Sequence, residues 1–126
     1  MVTADVAQLS RECNTWREAL RSQREDFAHL NHELQQAAAS ISDHESLIEV
    51  ERYQNQFHIQ LINIHDLKHA IKSHEKKANL PLAINDSRTY DEVITDHEKL
   101  HDEYMNLEHT LQELKSDFHF FLEHTH

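Results

Sequence analysis

The sequence contains no glycine, one proline and one cysteine. Glycine and proline supply most tight turns and the loops that cradle phosphate groups, so their scarcity argues against hairpin-rich and nucleotide-binding folds. A single cysteine, Cys13, excludes an internal disulfide. No apolar run approaches the about 20 residues that span a bilayer, and the first residues lack the basic and apolar regions of a signal peptide. We therefore expect a cytoplasmic protein.

The charge balance is strongly acidic. The 126 residues include 23 acidic and 12 basic side chains, which gives a formal net charge of −11. Proteins that bind duplex nucleic acid or anionic membranes normally present a basic face, so we expect neither partner. Thirteen histidines are the one unusual feature of the composition. Because histidine titrates near pH 6.5, their protonation would carry the chain through neutrality, which leaves open a pH-responsive assembly.

Three long stretches carry apolar residues in alternating steps of three and four, the spacing of a helix that packs on partner helices. We predict helices over residues 3–39, 43–77 and 89–124. Helices of this length joined by short connections pack as antiparallel neighbours. The predicted fold is therefore all-α, an up-down-up three-helix bundle with coiled-coil-like helices, in a single domain over residues 1–126.

Each predicted helix has one seam of core positions. In the first helix the seam is Val2, Val6, Leu9, Cys13, Trp16, Leu20, Gln23, Phe27, Leu30, Leu34, Ala37 and Ile41. In the second it is Leu47, Val50, Gln54, Phe57, Leu61, Ile64, Lys68 and Ile71, widened by Ile48, Tyr53, Ile62 and Leu67. In the third it is Tyr90, Val93, His97, Leu100, Tyr104, Leu107, Leu111, Leu114, Phe118 and Phe121.

The helix starts also have sequence signals. Thr3 is the predicted N-cap of the first helix. Capping boxes, in which a hydroxyl and a carboxylate three residues later bind each other's free amides, are predicted at Ser42 with Glu45 and at Thr89 with Glu92. In the connection before the third helix, Leu80, Leu82 and Ile84 are expected to fold back over the end of the bundle.

Histidine pairs spaced by four residues occur on the second and third predicted helices. The pairs are His65 with His69 and His97 with His101. This spacing places both imidazoles of a pair on one helix face. In antiparallel helices, residues equally far from the connection lie at the same level. On this basis His69 faces His97 and His65 faces His101, and the two pairs could supply four nitrogen ligands to zinc, copper or nickel. The four histidines are therefore the candidate metal ligands.

A structural interpretation of the polar seam residues stands beside the metal hypothesis. These residues are Gln23, Gln54, Lys68 and His97. A few polar side chains in a coiled-coil-like seam fix the register of the helices and exclude wrong pairings.

The stretch HEKLHDEYMNLEHTLQELKSDFHFFLEHTH, which begins at His97, resembles the last helices of hemerythrin-like, HHE-type cation-binding domains. Further pieces of this resemblance are His29-x-x-x-Glu33, His65-x-x-x-His69 and His97-x-x-x-x-Asp102. The resemblance implies a two-iron site held by histidines and carboxylates in a four-helix bundle. The present chain departs from that pattern, because only three helices are predicted.

Most of the chain is also similar to small helical bacterial proteins that have no assigned function. The residues that carry this similarity are Trp16, the run Glu51-Arg52-Tyr53-Gln54-Asn55-Gln56-Phe57, Leu67-Lys68-His69 and His74-Glu75. The similarity implies a helical domain and no particular activity.

The sequence thus predicts a structural or protein-interaction module that binds another protein or a second copy of itself, for example as a homodimer. Long bundles with short loops offer few places for a catalytic cleft, so we expect neither an enzyme nor a resident cofactor. The first alternative is a histidine-rich metal-binding or metal-sensing bundle that holds zinc or iron. The second alternative is the pH-responsive assembly.

Overall fold

The computed structural model describes residues 6–81 and 85–125. Its three elements are long helices: α1 (Val6–Ser40), α2 (His44–Ala78) and α3 (Ser87–His124). Arg17, near the start of α1, pairs with Glu75, near the end of α2. His74 of α2 contacts His97 in the first third of α3. The chain therefore runs up, down and up again, which confirms the predicted all-α three-helix bundle.

One continuous apolar core runs between the three helices, and the α1 seam agrees closely with its prediction. Its buried members in α1 are Leu9, Cys13, Trp16, Leu20, Phe27, Leu30 and Leu34. Gln23 is half-buried at the single polar position of that seam. In α3 the buried seam residues are Val93, His97, Leu111, Leu114 and Phe118. Val2 lies outside the described residues.

The predicted seam of α2 is wrong at every second position. Val50, Phe57, Ile64 and Ile71 are buried as predicted. Tyr53 and Leu67, which were predicted to widen this seam, are also buried, whereas Ile48 and Ile62, predicted for the same role, are 49% and 47% exposed. The buried positions that were not predicted are Gln60 and His74. The predicted core residues Gln54, Leu61 and Lys68 each follow a buried residue by one position in α2, and they are exposed or half-buried. Leu47, also predicted in the core, is 39% exposed. A single residue turns a helix by about 100°, so this slip moves a side chain from the core to its edge.

Both predicted capping boxes are corrected by the structure. The N-cap of α2 is Asp43, whose carboxylate accepts a hydrogen bond from the Ser46 amide at 2.9 Å. The N-cap of α3 is Asp86, whose carboxylate accepts a hydrogen bond from the Thr89 hydroxyl at 2.7 Å. The observed cap therefore lies one residue after the predicted Ser42 in α2 and three residues before the predicted Thr89 in α3. Thr3 lies outside the described residues.

The bundle has an aromatic half and a polar half. Around the C-terminal part of α3, rings from all three helices pack edge to face, with Phe57 and Phe118 at 5.0 Å between centroids and Phe27 and Phe57 at 5.6 Å. The Tyr53 hydroxyl there donates to the Asp117 carbonyl at 3.1 Å. The other half contains the buried polar residues His74 and His97.

Leu80 is 54% exposed, so it does not cover the end of the bundle as predicted. Leu82 and Ile84, assigned the same role, lie outside the described residues. Over residues 6–81 and 85–125, no helix combines the length and the apolar character that crossing a membrane requires.

Candidate metal centre

Three potential metal ligands, one from each helix, meet inside the polar half of the bundle. They are Cys13 of α1, His74 of α2 and His97 of α3, with exposed fractions of 0%, 6% and 0%. Each occupies a seam position of its helix, so helix packing itself directs the three side chains inward. Their nearest ligand atoms lie within 4.8 Å of one another. Within residues 6–81 and 85–125 this is the one group of three or more such residues with that geometry.

The shortest contact in the group joins the two histidines. His74 Nε2 lies 2.9 Å from His97 Nδ1. Cys13 Sγ lies 3.9 Å from the same His97 nitrogen. The other ring nitrogen of His97, Nε2, lies 2.9 Å from a carboxylate oxygen of Glu12. His97 is therefore the centre of a hydrogen-bonded chain that begins at Glu12.

The Glu12 contact determines which nitrogen of His97 carries a proton. A carboxylate oxygen accepts hydrogen bonds, so His97 Nε2 is the donor in this contact. In a neutral imidazole the other nitrogen, Nδ1, then has a free lone pair that faces Cys13 and His74. His74 donates its Nε2 proton to that lone pair. Its own Nδ1 is left buried, with no hydrogen-bond partner among the described residues.

Trp16 closes one side of the group. Its ring stacks on His97 with 4.7 Å between centroids and 25° between planes. The same ring lies 5.6 Å from His101 and 5.8 Å from Tyr104. Trp16 belongs to α1 and these three rings belong to α3, so one indole fills the space between the two helices and keeps water from His97.

Burial holds the cysteine and one histidine of the group in their uncharged forms. Burial raises the pKa of the Cys13 thiol to about 12, and the nearby Glu75 carboxylate adds to this effect. Burial also lowers the pKa of His74 to about 4, and the neighbouring His97 contributes in the same direction. Without a metal ion, Cys13 is thus a thiol and His74 a neutral imidazole near pH 7.

The contacts from Cys13 to His97 to Glu12 repeat the order of a nucleophile, a base and an orienting carboxylate. Two features oppose such a role for Cys13. A cysteine nucleophile acts as a thiolate in a partly exposed and electropositive environment, whereas Cys13 is fully buried and its pKa is raised. The arrangement is better suited to metal ligation, since a metal ion can displace a thiol proton.

Of the four histidines predicted as ligands, the structure places only His97 in the group. His65 and His69 are exposed on α2. His101 is half-buried beside Trp16, and its Nδ1 lies 3.8 Å from Asp102. The sequence predicts that His69 of α2 faces His97. The residue that contacts His97 is His74, which lies five residues further along α2. Five residues correspond to about 7.5 Å of helix, enough to replace one set of facing residues by another.

The residues on which the resemblance to hemerythrin-like domains depends are dispersed along the bundle. His29 Nε2 lies 3.1 Å from a carboxylate oxygen of Glu33 on the surface of α1. Asp102 contacts His101 at the surface of α3. Neither belongs to the buried group.

Sequence reasoning assigned Cys13 to the core and left His74 out of every site. The available signal was the seven-residue spacing of α2, in which His74 follows Tyr53, Gln60 and Leu67. Because Gln60 is polar and Leu61 is apolar, a core assignment based on hydrophobicity selects Leu61 instead of Gln60. The buried series that contains His74 is then not recognised.

No protein-family model, curated protein or solved structure matches the chain. The assignment of the site therefore depends on its geometry and chemistry.

Proposed function

We propose that the protein binds one zinc-like transition metal ion through Cys13, His74 and His97. The observation that carries this proposal is the convergence of three buried ligand atoms, one from each helix, within 4.8 Å of one another. It keeps the metal-binding alternative that the sequence predicts, with a different set of ligands. Only His97 is common to both sets.

The donor atoms select the class of metal. One thiolate and two imidazoles suit zinc, cobalt and copper, whereas calcium and magnesium require oxygen ligands. Iron, the other metal expected from the sequence, is held in two-iron bundles mainly by carboxylates, and the group has none that faces the shared space. Zinc is usually four-coordinate, so three protein ligands leave one position for water or for a further group.

The distances in the group are close to those of a tetrahedral zinc site. With zinc–nitrogen bonds of about 2.05 Å, two nitrogen ligands lie about 3.3 Å apart, and a sulfur and a nitrogen ligand lie about 3.6 Å apart. The corresponding distances here are 2.9 Å between the histidine nitrogens and 3.9 Å from Cys13 Sγ to His97 Nδ1. These two distances differ from the tetrahedral values by about 0.4 Å and about 0.3 Å. The ligand atoms of Cys13 and His74, which lie within 4.8 Å of each other, would also have to reach about 3.6 Å, and side-chain rotation would have to supply these shifts.

Proton exchange accompanies this binding. The Cys13 thiol would lose its proton to solvent, and the Nε2 proton of His74 would move to the free Nδ1 atom of the same ring, so that two neutral imidazoles and a thiolate could hold the ion. Glu12 would keep the remaining proton of His97 on Nε2, which leaves Nδ1 free to bind. Carboxylates that hold a metal-bound histidine in this way are a recurrent feature of metal sites.

Binding would connect all three helices at one level. An ion that binds only the folded chain stabilises it in proportion to its concentration, by about 2.7 kcal/mol at one hundred times the dissociation constant. The stability of the polar half would therefore report on metal availability, which is the basis of a metal-sensing role. A cytoplasmic location, which we also propose, would keep Cys13 reduced.

The test is a titration of untagged, chelator-treated protein with cobalt(II), which is a coloured substitute for zinc. The proposal predicts saturation at one equivalent, with visible bands of a four-coordinate ion and a near-ultraviolet thiolate-to-cobalt band. Cys13→Ser should abolish the thiolate band. His69→Ala, which alters an exposed histidine of the same helix, should leave the spectrum unchanged and serves as the matched control. An unchanged spectrum in Cys13→Ser would refute the proposed ligand.

Loss of folding in a core variant would imitate loss of binding. Circular dichroism of Cys13→Ser in chelator identifies that case. The native chain also supplies a test that needs no variant, since one equivalent of zinc should raise its melting temperature. No rise, together with no cobalt bands, would contradict the proposal.

The structural or interaction role predicted from the sequence is our second proposal. The observation that favours it is the set of half-exposed isoleucines on α2, namely Ile48, Ile59 and Ile62. These isoleucines would contact the binding partner.

A further inference from the structure

The surface of α2 that faces away from the core carries a second apolar seam. Ile48, Ile59 and Ile62 are 49%, 46% and 47% exposed. Together with Arg52 and Asn55 they follow alternating steps of four and three residues, so they share one side of the helix. The buried seam, which includes Val50, Phe57 and Ile64, lies on the opposite side. We call Ile48, Arg52, Asn55, Ile59 and Ile62 the outer seam.

Charge and exposed apolar residues together make α2 the favoured place for contact between two copies of this acidic chain. The Val6–Ser40 helix, with five acidic and four basic residues, is close to neutral, but none of the large apolar residues exposed within the described part of the chain lies on it. The Ser87–His124 helix carries ten acidic and three basic residues. The His44–Ala78 helix carries five of each. Like charges repel at close range, so α3 resists the approach of a second copy while α2 does not.

The charges of α2 are also polarised along its length. Its first half contains Glu45, Glu49, Glu51 and Arg52. Its second half contains Asp66, Lys68, Lys72, Glu75, Lys76 and Lys77. The first half is thus net acidic and the second net basic. Two copies of α2 in antiparallel orientation would place each acidic half against a basic half, whereas parallel copies would place like charges together.

We infer that the outer seam is a self-association surface on which two copies of the chain pair through α2 in antiparallel orientation. The two-fold axis would pass near the middle of α2, between Ile59 and Ile62, because this register places the acidic half of each copy at the level of the basic half of the other. In the same register Ile59 of one copy would meet Ile62 of its partner. Such an interface is closed, since the same patch serves both partners. With three isoleucines per chain the apolar area is small, so the dimer is expected to be weak and concentration-dependent. This inference is independent of the metal site.

Sedimentation equilibrium of the full chain in chelator, over a wide range of concentrations, tests the association. The native chain should show a reversible monomer–dimer equilibrium. Ile59→Lys with Ile62→Lys should weaken the dimer at least about 100-fold, because two buried ammonium groups per chain would face each other. Met105→Lys alters a 53% exposed residue of α3 and should leave the equilibrium unchanged. A native chain that is monomeric throughout, or a dimer that survives the double substitution, would overturn the inference.

Disulfide cross-linking tests the orientation. Ser73 is exposed on the same side of α2 as Ile48 and lies at its level in the partner copy. Ile48→Cys and Ser73→Cys variants are mixed and oxidised, and the products are identified by mass spectrometry. Antiparallel pairing predicts the mixed 48–73 product in excess over both homotypic products. The native chain is the control, since its buried Cys13 should not cross-link. A predominance of 48–48 and 73–73 products would show that the helices pair in parallel and would overturn the proposed interface.

Discussion

At the scale of single residues, the polar half of the bundle has titratable side chains at core positions that apolar residues usually occupy. His74 Nδ1 is buried without a hydrogen-bond partner among the described residues, and an unsatisfied buried polar atom costs about 1–3 kcal/mol. An apolar side chain at the same position would avoid this cost. A metal ion held by Cys13, His97 and the Nε2 atom of His74 offers a physical reason for placing three titratable groups here, and it would leave the Nδ1 atom of His74 without a partner among the described residues.

Glu12 is expected to strengthen metal binding without touching the ion. Glu12→Gln replaces a charge-assisted hydrogen bond to His97 Nε2 by a neutral one, so the imidazole becomes a weaker ligand. We expect zinc affinity to fall about 10- to 100-fold with little change in helicity, as measured by competition with a chromophoric chelator. Glu18→Gln, an exposed change on the same helix, is the control. Equal affinities for both variants would remove Glu12 from the site.

The metal-free chain should lose stability in mild acid because of His74. Its pKa is lowered from 6.5 to about 4 in the folded state. Between these values the unfolded chain binds a proton that the folded chain does not, so the free energy of unfolding falls as the pH is lowered through this range. Above pH 6.5 this contribution is fully present. At about 1.4 kcal/mol for each of the roughly 2.5 pKa units, the loss is at most about 3.5 kcal/mol.

Urea unfolding in chelator at about pH 7.5 and about pH 5 measures this loss. The same experiment on His74→Gln separates His74 from the other histidines, because the variant cannot take up that proton. The fall in unfolding free energy should be smaller in the variant. Equal falls in both proteins would mean that His74 does not contribute.

At the scale of secondary-structure elements, the helices themselves were predictable and their contacts were less so. The α1 seam was correct from Leu9 to Leu34 because its apolar residues leave one consistent choice. In α2, apolar residues flank the true seam and polar Gln60 and His74 occupy it, so hydrophobic periodicity favoured the wrong neighbours. The five-residue shift of His97 along α2 depends on side-chain packing between helices, which no local pattern encodes.

Helix capping distinguishes the predicted from the observed start of α2. Asp43→Ala removes the acceptor of the Ser46 amide, so we expect a lower melting temperature by circular dichroism. Ser42→Ala, which alters the residue predicted from sequence as the cap, should have a smaller effect. The reverse order would show that the helix begins at Ser42.

At the scale of the whole molecule, the two halves of the bundle have different means of stabilisation. The aromatic half is closed by rings from all three helices, including Phe27, Phe57 and Phe118. The polar half instead joins the helices through Cys13 and the two histidines. On our account, the first half is stable alone and the second depends on the ion.

Amide hydrogen exchange would reveal this division. Addition of one equivalent of zinc should slow exchange around Cys13, His74 and His97, with little change near Phe57 and Phe118. Local opening responds to added contacts in the cooperative unit that contains them, which is the reason for the expected contrast. A uniform change over the three helices would argue against independent halves.

Zinc K-edge X-ray absorption on untagged protein loaded with one equivalent of zinc tests the proposed site most directly. Our account predicts one sulfur ligand at about 2.3 Å and nitrogen or oxygen ligands at about 2.0–2.1 Å, of which two are imidazoles. Cys13→Ser should remove the sulfur contribution while His69→Ala retains it. A spectrum without sulfur would show that zinc binds to other side chains, such as the exposed histidines, and would contradict the account.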